Sequence, residues 1–372
     1  MLREGEVRIP SGCAIAGIMN KKGEAFSGTK VVDSIAIMHD RSNGLGGGFA
    51  AYGIYPEMSE HNALHLFYDN KNAKKDAEQF INKHFRITLQ EEIPTKSTAK
   101  ISGSPLIWRY FVKPLPERLM ASGLEEDDYV MKCVMTVNTH LPGAFIFSSG
   151  KNMGAFKGVG YPEDIGEFFK LHEYKGHVWT AHGRFPTNTP GWWGGAHPFT
   201  LLDWSIVHNG EISSYDANRR FIEMYGYKCT LQTDTEVMVY IFDLLLRRHK
   251  LPLDVAVLAV AAPFWEDIDY MSPEKKELVK TIRAIYGNLL VNGPFSIILA
   301  CGKGFVALND RIKLRSLTAA TKGDFVYVAS EESAIREICK TPEKVWYPRG
   351  GEPVVAFMEG SSLVEVPEQC AV

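Results

Sequence analysis

A chain of 372 residues, 45% apolar and with a formal charge of −3, has material for one large core or two smaller ones and describes a globular protein. Acidic and basic residues are mixed along it without a stripe of Lys and Arg, which argues against a nucleic-acid surface. The start, Met-Leu-Arg-Glu-Gly-Glu-Val-Arg, alternates charges where a signal peptide needs an apolar run. The longest apolar stretch, 251–265, carries Asp254 and Pro263, so no membrane span is expected and the reading is cytoplasmic.

In chain order, residues 14–19 read as a short buried strand, and Val31, Val32, Ile35 and Met38 mark one face of a following helix. The run from Asn43 to Gly48 leads into a strand expected from Phe49 to Tyr55. Gly46-x-Gly48-x-x-Ala51 would pass a loose dinucleotide-binding search, but that fingerprint needs a strand before it and a helix opening on it, and here the order is reversed. Residues 60–140 are the least legible, with a charged helix near 73–86, a loop near 94–106 and a strand around Ile107 to Val112. Beyond them, strands are expected near 144–149, 177–184 and 203–208, and helices near 214–226, 234–247 and 273–286. Strands then follow at 294–301, 304–308, 325–329 and 353–358. The pattern is α+β, without an internal repeat or a low-complexity linker.

The six cysteines, Cys13, Cys133, Cys229, Cys301, Cys339 and Cys370, are scattered and form no C-x-x-C pair, so neither a zinc knuckle nor an iron–sulfur site is encoded. Most are expected to be reduced and buried. Three segments have a composition unlike ordinary scaffold. The first is Ser11-Gly12-Cys13-Ala14-Ile15-Ala16-Gly17, a thiol behind a small dipeptide. The second runs from Ala181-His182-Gly183-Arg184 through Thr187 to Pro190, with Ala196-His197-Pro198-Phe199 close behind. The third is His208-Asn209-Gly210-Glu211-Ile212, with Thr233-Asp234-Thr235-Glu236 some way after it.

With these segments the sequence resembles the class II glutamine amidotransferases, most closely the amidotransferase portion of glutamate synthases in its stand-alone subunit form. The resemblance runs from Cys13 to Ala329-Ser330-Glu331-Glu332, by way of Gly293-Pro294-Phe295-Ser296 and Leu308-Asn309-Asp310-Arg311. It implies a four-layer αββα sandwich of the N-terminal-nucleophile hydrolase type, two antiparallel sheets covered by helices on both outer faces. It also implies removal of residues 1–12 as a propeptide, leaving 13–372 as the amidotransferase domain with Cys13 at the end of a central strand.

Elementary chemistry runs alongside. A free cysteine has a pKa of about 8.5 and an α-amino group about 7.7–8.0, so a cysteine at a new N-terminus carries its own general base. Glutamine presents an α-carboxylate, an α-ammonium and a side-chain amide, so its pocket needs a cation, an anion and an oxyanion site. By resemblance Arg184 holds the carboxylate with Thr187 assisting, and Asp234 receives the ammonium. Asn209 by its side-chain amide and Gly210 by its backbone N–H would meet the oxyanion. Taken alone, Arg184 could equally be a surface ion pair, Thr233 to Glu236 a helix N-cap with its capping-box partner, and His208-Asn209-Gly210 a tight turn. His182, His197 and His208 are irregularly spaced for a metal site, and the resemblance makes them structural hydrogen-bonding residues near the pocket.

The interval from Cys13 to Arg184 is long for the class, and an insertion is expected within 56–176. No flavin-binding, phosphoribosyltransferase or sugar isomerase segment is expected to follow the amidotransferase. The ammonia acceptor is therefore expected on a separate synthase subunit carrying FMN and an iron–sulfur cluster, with no cofactor in this chain, no nucleic acid and no membrane. A related synthase making a modified glutamate, another amide hydrolase of the same fold, and a non-catalytic glutamine-binding regulatory subunit remain open. The last would keep the Gly12–Cys13 bond.

Overall fold

The computed structural model describes residues 12–186, 191–231 and 233–361. Its first sheet has seven antiparallel strands in the spatial order Lys344–Trp346, Thr318–Lys322, Phe325–Ala329, Ala14–Asn20, Val178–Gly183, Gly47–Tyr52 and Met153–Gly158. The Cys13 strand is the middle one, and all seven of its residues are buried. Its apolar run is continuous because both faces are covered. Ala14, Ala16 and Ile18 point to an outer core with Val31, Ile35, Ile165 and Ile335 from the helices Thr29–Ala36, Pro162–Phe168 and Glu332–Ile338. Ile15 and Met19 point the other way, into a core shared with the second sheet.

That second sheet orders Phe199–Leu201, Trp204–Gly210, Phe295–Cys301, Gly304–Asn309 and Val354–Phe357, again antiparallel. Val207, Ile298, Ala300, Phe305 and Ala307 face the first sheet. Ile206, Ile297, Leu299 and Leu308 face outward onto the helices Tyr215–Glu223, Asp234–Phe242 and Leu253–Val260. Helix, sheet, sheet and helix thus form the αββα sandwich that the resemblance implied.

The illegible stretch holds a third sheet, in the order Phe85–Glu92, Leu106–Pro114, Asn62–Tyr68 and Ala144–Ser148, backed by the helices Lys71–His84 and Glu126–His140. It is threaded between Gly47–Tyr52 and Met153–Gly158, which are neighbours in the first sheet. Its core residues Leu64, Tyr110, Val130 and Val134 merge with those of the second sheet's helices.

One expectation is corrected and one open alternative is closed. The strand placed at 49–55 is Gly47–Tyr52, because Gly53 turns the chain at φ +84°. His208-Asn209-Gly210 is no tight turn but the end of the strand Trp204–Gly210, paired with Ile297, Ser296 and Phe295. The glycine run before residue 49 has a packing cause: a side chain on Gly48 would begin 2.3 Å from the carbonyl oxygen of His197. Among the described residues no helix is long and apolar enough to cross a membrane. The described cysteines are all free, Cys133, Cys301 and Cys339 buried, Cys13 and Cys229 half-buried; Cys370 lies outside the described residues.

Candidate active site

Cys13 stands immediately before the central strand, at the edge of a cavity of about 230 Å³. Arg184 enters from the end of the neighbouring strand Val178–Gly183, Gly210 from the end of Trp204–Gly210, and Asp234 from the first turn of the helix Asp234–Phe242. Three elements that end at one edge of the sandwich therefore bring a thiol, a cation and an anion together. Asn209 does not line the cavity. It is 1% exposed, and neither its amide nitrogen nor its amide oxygen has a partner among the described residues. Thr187 lies outside the described residues.

The sulfur of Cys13 accepts from the backbone N–H of Phe185 at 3.3 Å. Burial pushes its pKa up, against the opposing pull of that N–H and of the Arg184 and Arg315 guanidiniums. The group is thus held as a thiol at neutral pH and needs a base. Its carbonyl accepts from Nε and Nη2 of Arg41, each at 3.3 Å, and Arg41 is itself paired with Glu331 at 2.9 Å.

Arg184 is buried rather than a surface ion pair, and its backbone is fixed by bonds with Gly46, Asn43 and Ser42. Burial lowers its pKa, while Cys13, Asp234 and Glu211 work in the opposite direction; an arginine keeps its charge throughout. Asp234 is not the helix cap. Thr233 is, its hydroxyl accepting from the N–H of Thr235 at 3.2 Å. Burial alone would raise the Asp234 carboxyl, but His208, the N–H of Ile212 at 3.0 Å and the Thr235 hydroxyl hold it below the usual range. It is therefore an anion facing the cavity.

The three histidines form a chain behind that wall. His182 Nε2 donates to the carbonyl of His208 at 2.9 Å, and its Nδ1 lies 3.1 Å from Nδ1 of His197. The Thr235 hydroxyl is the hub, 2.9 Å from His197 Nε2 and 3.1 Å from His208 Nδ1. Burial pulls His182 down to about 3 and His197 well below its ordinary value, so both are neutral. Among the described residues no cluster of His, Cys, Asp and Glu could hold a metal ion.

Sequence reasoning missed Arg41, Glu211, Ile212, Tyr215 and Arg315. Glu211, Ile212 and Thr235 sat inside motifs already singled out, without a role assigned to them, whereas nothing local marks Arg41 or Arg315, which reach Cys13 only through the fold.

The profile of the glutamine amidotransferases class-II matches residues 69–345, and the chain belongs to that family. An uncharacterized protein of Archaeoglobus fulgidus is 50% identical over 350 residues, 93% of this chain and 92% of that one. The glutamine–fructose-6-phosphate aminotransferase (isomerizing) of Pseudomonas aeruginosa is 26% identical over 243 residues, 61% of this chain but 36% of that protein. Among solved structures, the glutamine phosphoribosylpyrophosphate amidotransferase from B. subtilis aligns over 92% of this chain and 46% of its own, at 14% identity and a TM-score of 0.45.

Proposed function

We propose that this protein hydrolyses L-glutamine to glutamate and ammonia through a Cys13 thioester and passes the ammonia to a synthase subunit. The observation that carries this is the cavity itself, which gathers a half-buried thiol with Arg184 and Asp234, charges that an amino-acid substrate needs and an apolar acyl pocket does not. In this reading Arg184, with Thr187, holds the α-carboxylate and Asp234 the α-ammonium.

Cleavage between Gly12 and Cys13 would free the α-amine, which takes the thiol proton as sulfur attacks the amide carbon. In this reading the tetrahedral oxyanion is met by the Gly210 N–H, which lines the cavity, and by the buried Asn209 amide beside it, which has no partner among the described residues and must turn toward the substrate. Collapse expels ammonia, which receives the proton from the α-ammonium. Water, deprotonated by the same amine, then cleaves the thioester to glutamate and restores the thiol.

We assign the acceptor to a separate glutamate synthase subunit with FMN and an iron–sulfur cluster, and no cofactor to this chain. Support comes from the ordered motifs between Cys13 and Glu332. Within 56–176 we take the 62–148 sheet as the insertion, covering the site or docking the partner. The acceptor activity named in the fructose-6-phosphate aminotransferases is not transferred, since the matched part is about a third of their length.

The test is to incubate protein whose N-terminus has been sequenced with glutamine and follow glutamate and ammonia, with Cys13→Ala as control. Release by a chain beginning at Cys13 and abolished in the control establishes the glutaminase; no release, even with a synthase partner present, sinks it.

A further inference from the structure

Two charged side chains lie in the interior and take no part in the chemistry above. Lys157, on the strand Met153–Gly158, and Glu236, on the helix Asp234–Phe242, are each 1% exposed. Burying a charge is costly unless it is met by good partners, so what each one holds matters. Both hold backbone. Lys157 Nζ donates to the carbonyls of Gly194 at 3.0 Å and Pro198 at 3.2 Å. Glu236 accepts from the N–H of Thr230 at 3.0 Å and of Leu231 at 2.9 Å, and from the Tyr240 hydroxyl at 3.3 Å.

The position of Glu236 is informative. As the fourth residue of Thr233-Asp234-Thr235-Glu236 it should reach back to the N–H of Thr233 and complete a capping box. It turns instead to the two amides just before that cap. The carbonyls held by Lys157 bracket Gly195 and His197, which line the candidate site; the amides held by Glu236 stand two residues or more before Thr233 and Asp234, which line it too. The two charges also border one internal cavity of about 10 Å³, between Phe199 and Tyr240. Burial draws Lys157 down to about 7 and pushes Glu236 up to about 7, while each in turn favours the other's charge.

We infer that Lys157 and Glu236 are positioning residues for glutamine: a buried lysine and a buried glutamate on one small internal cavity that tie down Gly194–Pro198 and Thr230–Leu231, setting the cavity wall that carries His197 against the wall that carries Asp234. The inference rests on the glutaminase reading. A pair serving stability alone would behave differently, because apolar residues of similar volume replace buried ion pairs with little loss and often with gain.

The experiment measures glutamine affinity by calorimetry in full-length protein carrying C13A, and steady-state kinetics in the Cys13 protein. Each uses K157M, K157R, E236Q and the K157M/E236Q pair, with melting temperatures recorded for all. The expected result is a glutamine Kd and KM raised about tenfold or more in K157M and E236Q, the cost of loosening about one hydrogen bond to a charged end of the substrate. kcat should change much less, and K157R should recover most of the affinity. Where K157M does not fold, E236Q, which keeps shape and volume, decides. Unchanged Kd and KM in folded variants overturn the inference and leave the glutaminase standing. Absence of any glutamine binding by the C13A parent overturns both.

Discussion

The backbone N–H of Phe185 donates to the sulfur of Cys13 at 3.3 Å, so the residue after Arg184 touches the candidate nucleophile. Arg184, the proposed carboxylate clamp, is thereby linked to the thiol through its neighbour's hydrogen bond, and the spacing between them is set by the pairing of Ala14 with Gly183.

That geometry fixes a pH dependence. Burial raises the Cys13 thiol, so attack requires a base, and the proposed base is the α-amine freed at Cys13. An ordinary α-amine titrates near 7.7–8.0. The guanidiniums of Arg41 and Arg315 come within 3.9 Å of where a Gly12 side chain would start, and their charge favours the neutral amine. We expect kcat/KM of the mature protein to fall about tenfold per pH unit below a midpoint lying under that range. A midpoint above 8, or a flat profile, contradicts the assignment of the base.

The clamp makes a second prediction. R184K keeps the charge but loses the planar fork, and D234N keeps an oxygen for the N–H of Ile212 but loses the anion. Each should weaken glutamine binding by about 1.5–3 kcal/mol, roughly 10- to 150-fold in KM, with a smaller change in kcat. Steady-state kinetics separates this from a site that binds a neutral amide, for which D234N would be silent.

The oxyanion pair is tested by N209A and G210A, which should fail in different ways. N209A removes a donor whose amide is already buried, and should lower kcat ~10²–10³-fold with the fold intact. A side chain on Gly210 would begin 2.0 Å from the carbonyl oxygen of Pro294 on the adjoining segment. G210A should therefore cost about 1–3 kcal/mol of stability as well as activity, visible as a lowered urea midpoint. A fully stable G210A protein would mean that this strand end is looser than described.

The strings around Cys13, Arg184 and Asp234 stood out in the sequence, but each alone had an ordinary reading and only their order gave them roles; the fold brings the three to one cavity. The second sheet was also legible, since its long strands are continuous apolar runs. The third sheet was not. Phe85–Glu92 is mostly exposed, with burial on few of its residues, so it lacks the alternation that marks a half-buried strand. The helix Glu126–His140 is buried on most of its circumference and shows little amphipathic contrast. Lys157 and Glu236 were invisible for another reason: each answers to backbone far away or outside its motif, and only the fold supplies those partners.

Sensitivity to acid follows from three buried neutral histidines, His65, His182 and His197. His65 is fully buried on the strand Asn62–Tyr68, bonded to the carbonyl of Ala155 at 3.0 Å and to the Tyr55 hydroxyl at 3.0 Å. Burial pulls it, like His182, to about 3, against about 6.5 in an unfolded chain. The unfolded state thus takes up a proton at each histidine that the folded state refuses. The folded-state pKa is the lower one, so the stabilisation is complete above pH 6.5 and is lost as pH falls toward 3. The slope is about 1.4 kcal/mol per pH unit per histidine. Urea midpoints measured from pH 7.5 to 4.5 should fall steadily, and H65Q, though less stable at pH 7.5, should show a slope shallower by about one histidine's share. An H65Q slope equal to that of the parent would mean that His65 takes up its proton without unfolding.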